Sequence, residues 1–455
     1  MKTVYLFICF LLLQSITLTG FLHAQTSVPD LRTRTSGSDW PTFLGPNGNG
    51  KSSDTGMNTD WPESGLPIVW IKETAKGLGA PSVAKGRLFL FDREENTMRL
   101  TCLNAETAAE IWQFSYPTEY EDIYGFDNGP RTTPLIDGNR VYIFGVEGML
   151  HCLSVIDGSL IWKINTSEQF GVVQNFFGVG ATPVIEGDLL ICAIGGSAES
   201  PYENVFAAQG SLQGNGSGLV ALNKKTGKIV WKSSDELDSY ASPKIVTMNG
   251  KRQGLWFARG GLVSFNPVDG KVDFHYPWRS KKLETVNASN PVIVDDKVFI
   301  SEAYEFGSSM IQVKPDGFEV VWQDEKRSRN KSLELHWTTA IHHEGYLYAA
   351  NGRRSGNAAL RCVEFATGKV MWSHAIGEMS SIVYVDGHFI SLGERGTLTL
   401  FKANPEQAEI LSSYKVVDKK SNALIEYPAW APPIIANGYL YLHGKNRLVC
   451  LDLLK

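Results

Sequence analysis

An all-β chain folded as an eight-bladed β-propeller, with four-stranded antiparallel blades and a ring closed by its two terminal strands, is predicted by three features of the sequence. A hairpin signature ending in an aromatic residue recurs along the chain. A short Ser/Thr/Asn-rich element, usually ending in Pro, recurs in step with it. The last strand-like run supplies what the first copy of the repeat lacks. Four short strands every 40–50 residues is the signature of a propeller blade.

The hairpin is clearest in Ala221-Leu-Asn-Lys-Lys-Thr-Gly-Lys-Ile-Val-Trp231. A small residue opens it, Thr226-Gly227 turns the chain, and a β-branched run leads to Trp. Gly supplies the φ > 0 turn conformation, and both flanks have strand composition. The same ten-residue offset recurs at Cys102/Trp112, Cys152/Trp162, Ser264/Phe274 and Cys362/Trp372, and more loosely at Gln312/Trp322 and Leu400/Ile410. An unpartnered hairpin is marginal in water, so a chain that repeats one stacks modules.

The second register gives the same count. Ala80-Pro81, Thr133-Pro134, Thr182-Pro183, Ser242-Pro243, Asn290-Pro291, Thr339-Ala340, Ser381-Ile382 and Pro432-Pro433 each precede a first strand. Pro is tolerated at a strand's first residue, where its missing N–H need not pair. The aromatic strands fall at Trp70, Trp112, Trp162, Trp231, Phe274, Trp322, Trp372 and Ile410, and only the gap before Trp231 is out of range. A Gly-, Ser- and Asn-rich insertion, placed at about 172–215, explains it.

Closure follows from the ends. Trp70 has no small-residue strand before it, whereas Asn446–Leu453 reads as that missing third strand, with Cys450 in the small slot. The strand at Ile68–Ile71 is expected to complete the last blade, which removes exposed sheet edges. The expected layout is a leader at 1–24, an amino-terminal strap at 25–65 and one propeller domain at 66–455.

Composition agrees with an ordinary globular protein: net charge −5, 43% hydrophobic and 20% charged residues. The mild acidity gives no support to nucleic-acid binding. Lys2 followed by the apolar run Val4–Leu13 and Ala24 reads as a cleaved secretory leader, so the mature chain is expected in the periplasm or outside the cell, without an integral membrane segment. Cys102, Cys152, Cys362 and Cys450 share one repeat position and should lie too far apart for disulfides. They read as buried thiols, as does Cys192 on a different strand.

These motifs resemble the pyrroloquinoline-quinone-like (PQQ-like) eight-bladed propellers. The repeated small-x-Asn-x-x-Thr-Gly-x-x-x-Trp is similar to the tryptophan-docking motif of quinoprotein dehydrogenases. Asp39-Trp-Pro-Thr-Phe-Leu-Gly-Pro-Asn-Gly, Phe177-Gly-Val-Gly-Ala-Thr-Pro and His275-Tyr-Pro-Trp-Arg resemble a secreted bacterial branch of that superfamily. In the dehydrogenases, the resemblance implies a quinone over the central channel between a Trp and a vicinal disulfide, with calcium beside it. This sequence has no adjacent cysteines and no Cys-x-x-Cys-His haem attachment motif.

No Gly-x-Ser-x-Gly or His-Glu-x-x-His motif occurs, and no catalytic residues or metal ligands emerge. Residues just before the Pro elements should line the channel mouth: Arg131, Tyr240, Asn287, Asn290, His336, Trp337, Tyr427 and Trp430. Aromatics, amides and Arg suit a polar organic ligand or a peptide segment, although turn-flanking Asn and Tyr also bond to loop backbone. The leading expectation is therefore an exported, non-catalytic binding or assembly platform for an envelope protein or a small polar or sugar ligand. The alternative is a PQQ-dependent oxidoreductase, or another enzyme, using the same mouth.

Overall fold

A computed structural model describes residues 27–454. The leader assigned to residues 1–24 lies outside them. The described chain forms eight four-stranded antiparallel sheets arranged as a ring. Blade 1 runs from Ser82–Ala84 to Glu110–Pro117, and blades 2 to 7 follow in order, blade 7 ending at Ile410–Lys415. Blade 8 comprises Ile434–Ala436, Tyr439–His443, Arg447–Asp452 and, as its outer strand, Ile68–Glu73. Ile71 pairs with Val449 and Trp70 with Cys450, the closure expected from the sequence.

The hairpin signature works by docking each blade onto the next. Trp70, Trp112, Trp162, Trp231, Trp322 and Trp372 each donate their indole N–H to a carbonyl in the following blade's turn, at 2.8–3.3 Å. The turn glycine is needed twice over. Gly158 sits at φ 71°, and a Cβ there would lie 2.5 Å from the Trp112 ring. Burying an indole against a blade while satisfying its N–H combines large apolar burial with a paired donor.

The two looser copies depart from the expected register. Trp322 pairs with Met310 rather than Gln312, and Leu400 faces Ser412 rather than Ile410. Blades 4 and 7 carry no docking tryptophan, each for a local reason. Blade 5 joins its last two strands, Gly307–Lys314 and Gly317–Gln323, by only two residues, so it offers no wide turn. The preceding blade accordingly carries Phe274, which packs on Phe318 at 4.9 Å. Blade 8 has no such turn at all, since its last two strands come from opposite ends of the chain. Blade 7 therefore does without Trp: Tyr414 bonds the Leu66 N–H at 2.9 Å and meets Trp61 edge-on.

The Ser/Thr/Asn elements form a belt around the channel. The Thr133 N–H donates to Thr182 Oγ1, Thr182 to Ser242 Oγ, Ser242 to Asn290 Oδ1 and Asn290 to Thr339 Oγ1, at 2.9–3.1 Å. At these four starts Pro removes one donor, and the neighbouring blade satisfies the N–H of the residue before it. All five described cysteines are free and buried, and burial pushes the Cys102, Cys152 and Cys362 thiols up to about 12.

The strap packs against the first strands of several blades. Trp40 pairs with Val83 of blade 1, Pro41 accepts from Ile136 of blade 2, and Ser52 donates to Tyr384 of blade 7. Gly50 packs on Ile341 of blade 6. The insertion expected at about 172–215 is divided in two, because Val184–Glu186 and Leu189–Ala193 within it are blade strands. One part, with a short helix at Thr166–Phe170, joins blades 2 and 3. The other spans 194–218, inside blade 3.

Candidate functional site

On the face carrying the inter-blade connections, a cavity of about 550 Å³ occupies the channel mouth, and all eight blades contribute to it. Phe43 of the strap lies in its wall. Such a volume suits a small molecule or a short peptide segment.

Six of the eight residues expected at the mouth line this cavity: Arg131, Tyr240, His336, Trp337, Tyr427 and Trp430. Trp337 and Trp430 meet at 5.1 Å between centroids, and His336 lies 5.1 Å from Trp337. Phe126 continues the arc between Trp430 and Phe177, and Phe177 packs on Tyr240 at 5.6 Å. Phe126 is 56% exposed, a large apolar ring held over the opening by the blade 1–2 connection.

Asn287 and Asn290 are not in the lining. Both are buried, and Asn287 Nδ2 donates to the Ala258 carbonyl at 2.8 Å while Asn290 belongs to the belt. They set loop positions, the backbone-bonding role that short amide side chains often take at turns.

The charge balance at the mouth is set by residues outside the inter-blade connections. Arg353, Arg354 and Arg395 sit in turns between second and third strands, on the same face. Among the described residues none of these three guanidiniums has a carboxylate partner, although Arg353 lies 4.1 Å over the Tyr304 ring and Arg395 5.2 Å over Tyr427. Arg131 differs: its charge is matched by buried Asp122 at 2.8 Å. The carboxylate in the lining, Glu394, accepts from Trp430 Nε1 at 3.0 Å. The enclosed Trp337 Nε1 and His336 Nδ1 have no partner within the protein. Burial pushes His336 down to about 3, so it is neutral at pH 7, with its other nitrogen 3.3 Å from the Tyr304 hydroxyl. Unmatched guanidiniums plus a free indole N–H favour an anion carrying acceptor oxygens.

The repeat marks only the connections between blades, whereas these three arginines lie in turns inside blades. Their signal was present in Asn351-Gly-Arg-Arg-Ser-Gly356 and Gly393-Glu-Arg-Gly396, two equivalent Gly-flanked turns that place arginines at one rim.

Residues 58–213 and 203–407 match the PQQ_2 family, described as outer membrane protein assembly factor BamB. The chain belongs to this family. Two curated relatives of different description match. The outer membrane protein assembly factor BamB of Yersinia pestis is 18% identical over 77% of this chain and 83% of its own length. The dehydrogenase subunit of a quinone-type alcohol dehydrogenase from Komagataeibacter europaeus is 24% identical over 56% of this chain, which spans only 34% of that protein. Among solved structures, BamB from Moraxella catarrhalis superposes with a TM-score of 0.55 at 12% identity, covering 84% of this chain and 98% of that one. The likeness establishes the propeller fold, and no helix among the described residues is long and apolar enough to cross a membrane.

Proposed function

We propose that the protein is an exported, non-catalytic binding platform that holds an acidic segment of an envelope protein at the channel mouth. The observation carrying this reading is the set of three unmatched guanidiniums, Arg353, Arg354 and Arg395, facing one aromatic cavity. A carboxylate there would gain charge-assisted bonds, while an apolar neighbour would pack on Trp337, Trp430 or Phe126. Export rests on the leader-like sequence Lys2–Ala24. The assembly-factor description of the family supports a protein partner, and the mouth residues named above are the proposed contacts.

The test is retention of envelope proteins by the immobilised chain, with a photo-crosslinker in place of Phe126. Specific adducts that disappear in an Arg353→Glu/Arg354→Glu/Arg395→Glu variant are expected. Adducts that persist in the variant, or a partner whose crosslinked segment is basic, would overturn the reading.

A second reading has one observation in its favour: the same guanidiniums and indoles suit a flat polyanion such as PQQ. The residues do not fit the dehydrogenase arrangement. No two cysteines are adjacent in the sequence, and among the described residues no three His, Cys, Asp or Glu side chains group to hold a metal ion. Titration with PQQ and Ca²⁺, followed by absorbance and by dye reduction with alcohols, separates the readings.

A further inference from the structure

A second and larger cavity, about 830 Å³, lies beside the mouth on the same face. Connections from blades 1, 2 and 3 build it, with the 194–218 insertion as one wall and a turn of blade 4 at its end. The insertion reaches it through Gly195, at φ 65°, where a Cβ would sit 2.2 Å from the Asp238 nitrogen. No side chain but hydrogen is compatible with that approach.

Its lining is the chemical opposite of the mouth. Five carboxylates, Glu119, Glu121, Glu147, Glu203 and Asp238, face it against one cation, Arg259. Arg259 donates to Asn175, itself in the lining, and stacks over Phe176 at 5.2 Å; its charge reaches Asp238, but no ion pair joins it to a carboxylate among the described residues. Deep in the cavity Asp238 Oδ1, both oxygens of Glu147 and the hydroxyl of Tyr120 are enclosed without a well-formed hydrogen bond in the protein, with Tyr116 and Thr118 lying beside Glu147 and Gln174 beside Tyr120. Tyr120 is only 7% exposed. A buried phenol usually finds a partner, and leaving a buried polar group unpaired is costly. Between these polar positions the walls are aliphatic, formed by Val146, Val172, Val179, Ile194, Val205 and Leu212.

This pattern selects among cations. No three of the carboxylates come close enough together to hold a metal ion among the described residues. Spread acceptors separated by aliphatic wall call for separated positive charges joined by methylene groups. We propose that this cavity binds an alkylammonium ligand, its ammonium groups on Asp238, Glu147 and Tyr120 and its methylene body along the valine and leucine wall. A free linear polyamine and a lysine side chain offered by another protein carry the same chemistry. Burial raises Asp238 to about 8 and pushes Glu147 up as well, so an arriving cation would also draw off protons.

Calorimetric titration of the full chain with spermidine, putrescine, a lysine-bearing neutral tripeptide, butanediol and Ca²⁺ tests the proposal. Spermidine or the lysine peptide should bind and butanediol should not. Asp238→Asn should weaken binding by about tenfold, and Tyr120→Phe, which keeps the ring, by about threefold to tenfold. Circular dichroism and melting of both variants check that they remain folded. Tighter binding of spermidine points to a free polyamine, and tighter binding of the peptide to a protein lysine; either supports the alkylammonium class. Absence of heat with both, equal binding by wild type and both folded variants, or a response to Ca²⁺ alone overturns it.

Discussion

The two cavities share one face of one propeller yet differ in almost every chemical respect. The mouth is aromatic and cationic, with three unmatched arginines. Its neighbour is aliphatic and acidic, with one arginine among five carboxylates. They also differ in origin. Every blade contributes to the mouth, so its shape follows from the repeat. The side cavity exists because one connection and one insertion, at 166–183 and 194–218, depart from the repeat. A repeated scaffold thus supplies a central site by symmetry, and an off-axis site only where symmetry is broken.

The most drastic way to separate the two is to remove the asymmetry. Ser197 and Gly214 pair across the base of the insertion, so residues 199–212 can be replaced by a short turn. Alkylammonium binding should fall by about a hundredfold or more, while binding of an acidic peptide at the mouth changes by about threefold or less. Calorimetry reads both.

Reversing the mouth charge should do the converse. Arg353→Glu with Arg395→Glu is expected to cost about 30-fold to 100-fold in affinity for an acidic, Phe-containing peptide, followed by fluorescence of Trp337 and Trp430, and to leave spermidine binding unchanged.

A smaller effect is expected from the residues that only hold loops. Asn287→Ala removes the bond to the Ala258 carbonyl and should cost about 1–3 kcal/mol in urea unfolding, with neither affinity altered beyond the loss of folded protein.

The smallest prediction sharpens the electrostatics of the side cavity. Folded Asp238 keeps its proton up to about 8, whereas the unfolded chain releases it near the ordinary 3.8. Between those values the folded state binds more protons, so this group's contribution to stability falls as pH rises. Asp238→Asn should therefore raise the melting temperature by a few degrees at pH 8 and by nothing at pH 4.

The same contrast explains what the sequence made legible. Blade count, closure through Trp70 and Cys450, and six mouth residues all follow from a period, because a repeated hairpin fixes where each connection must emerge. Asn287 and Asn290 were placed on the correct loops, but their amides are taken up by neighbouring backbone. Sequence spacing reports where a side chain starts and not which donor it meets. Arg353, Arg354 and Arg395 escaped because turns inside a blade reach the same rim as turns between blades. Nothing periodic marks Glu147, Asp238 and Tyr120 as neighbours; only the fold of an irregular insertion brings them to one cavity.

The central claim is that the mouth is an anion site independent of the cavity beside it. A crossed titration tests it most directly: an acidic peptide and spermidine, each against wild type, the Arg353→Glu/Arg395→Glu variant and Asp238→Asn. The account predicts that the peptide loses affinity only in the arginine variant and that spermidine loses it only in Asp238→Asn. An acidic peptide that binds the arginine variant as tightly as wild type would contradict it.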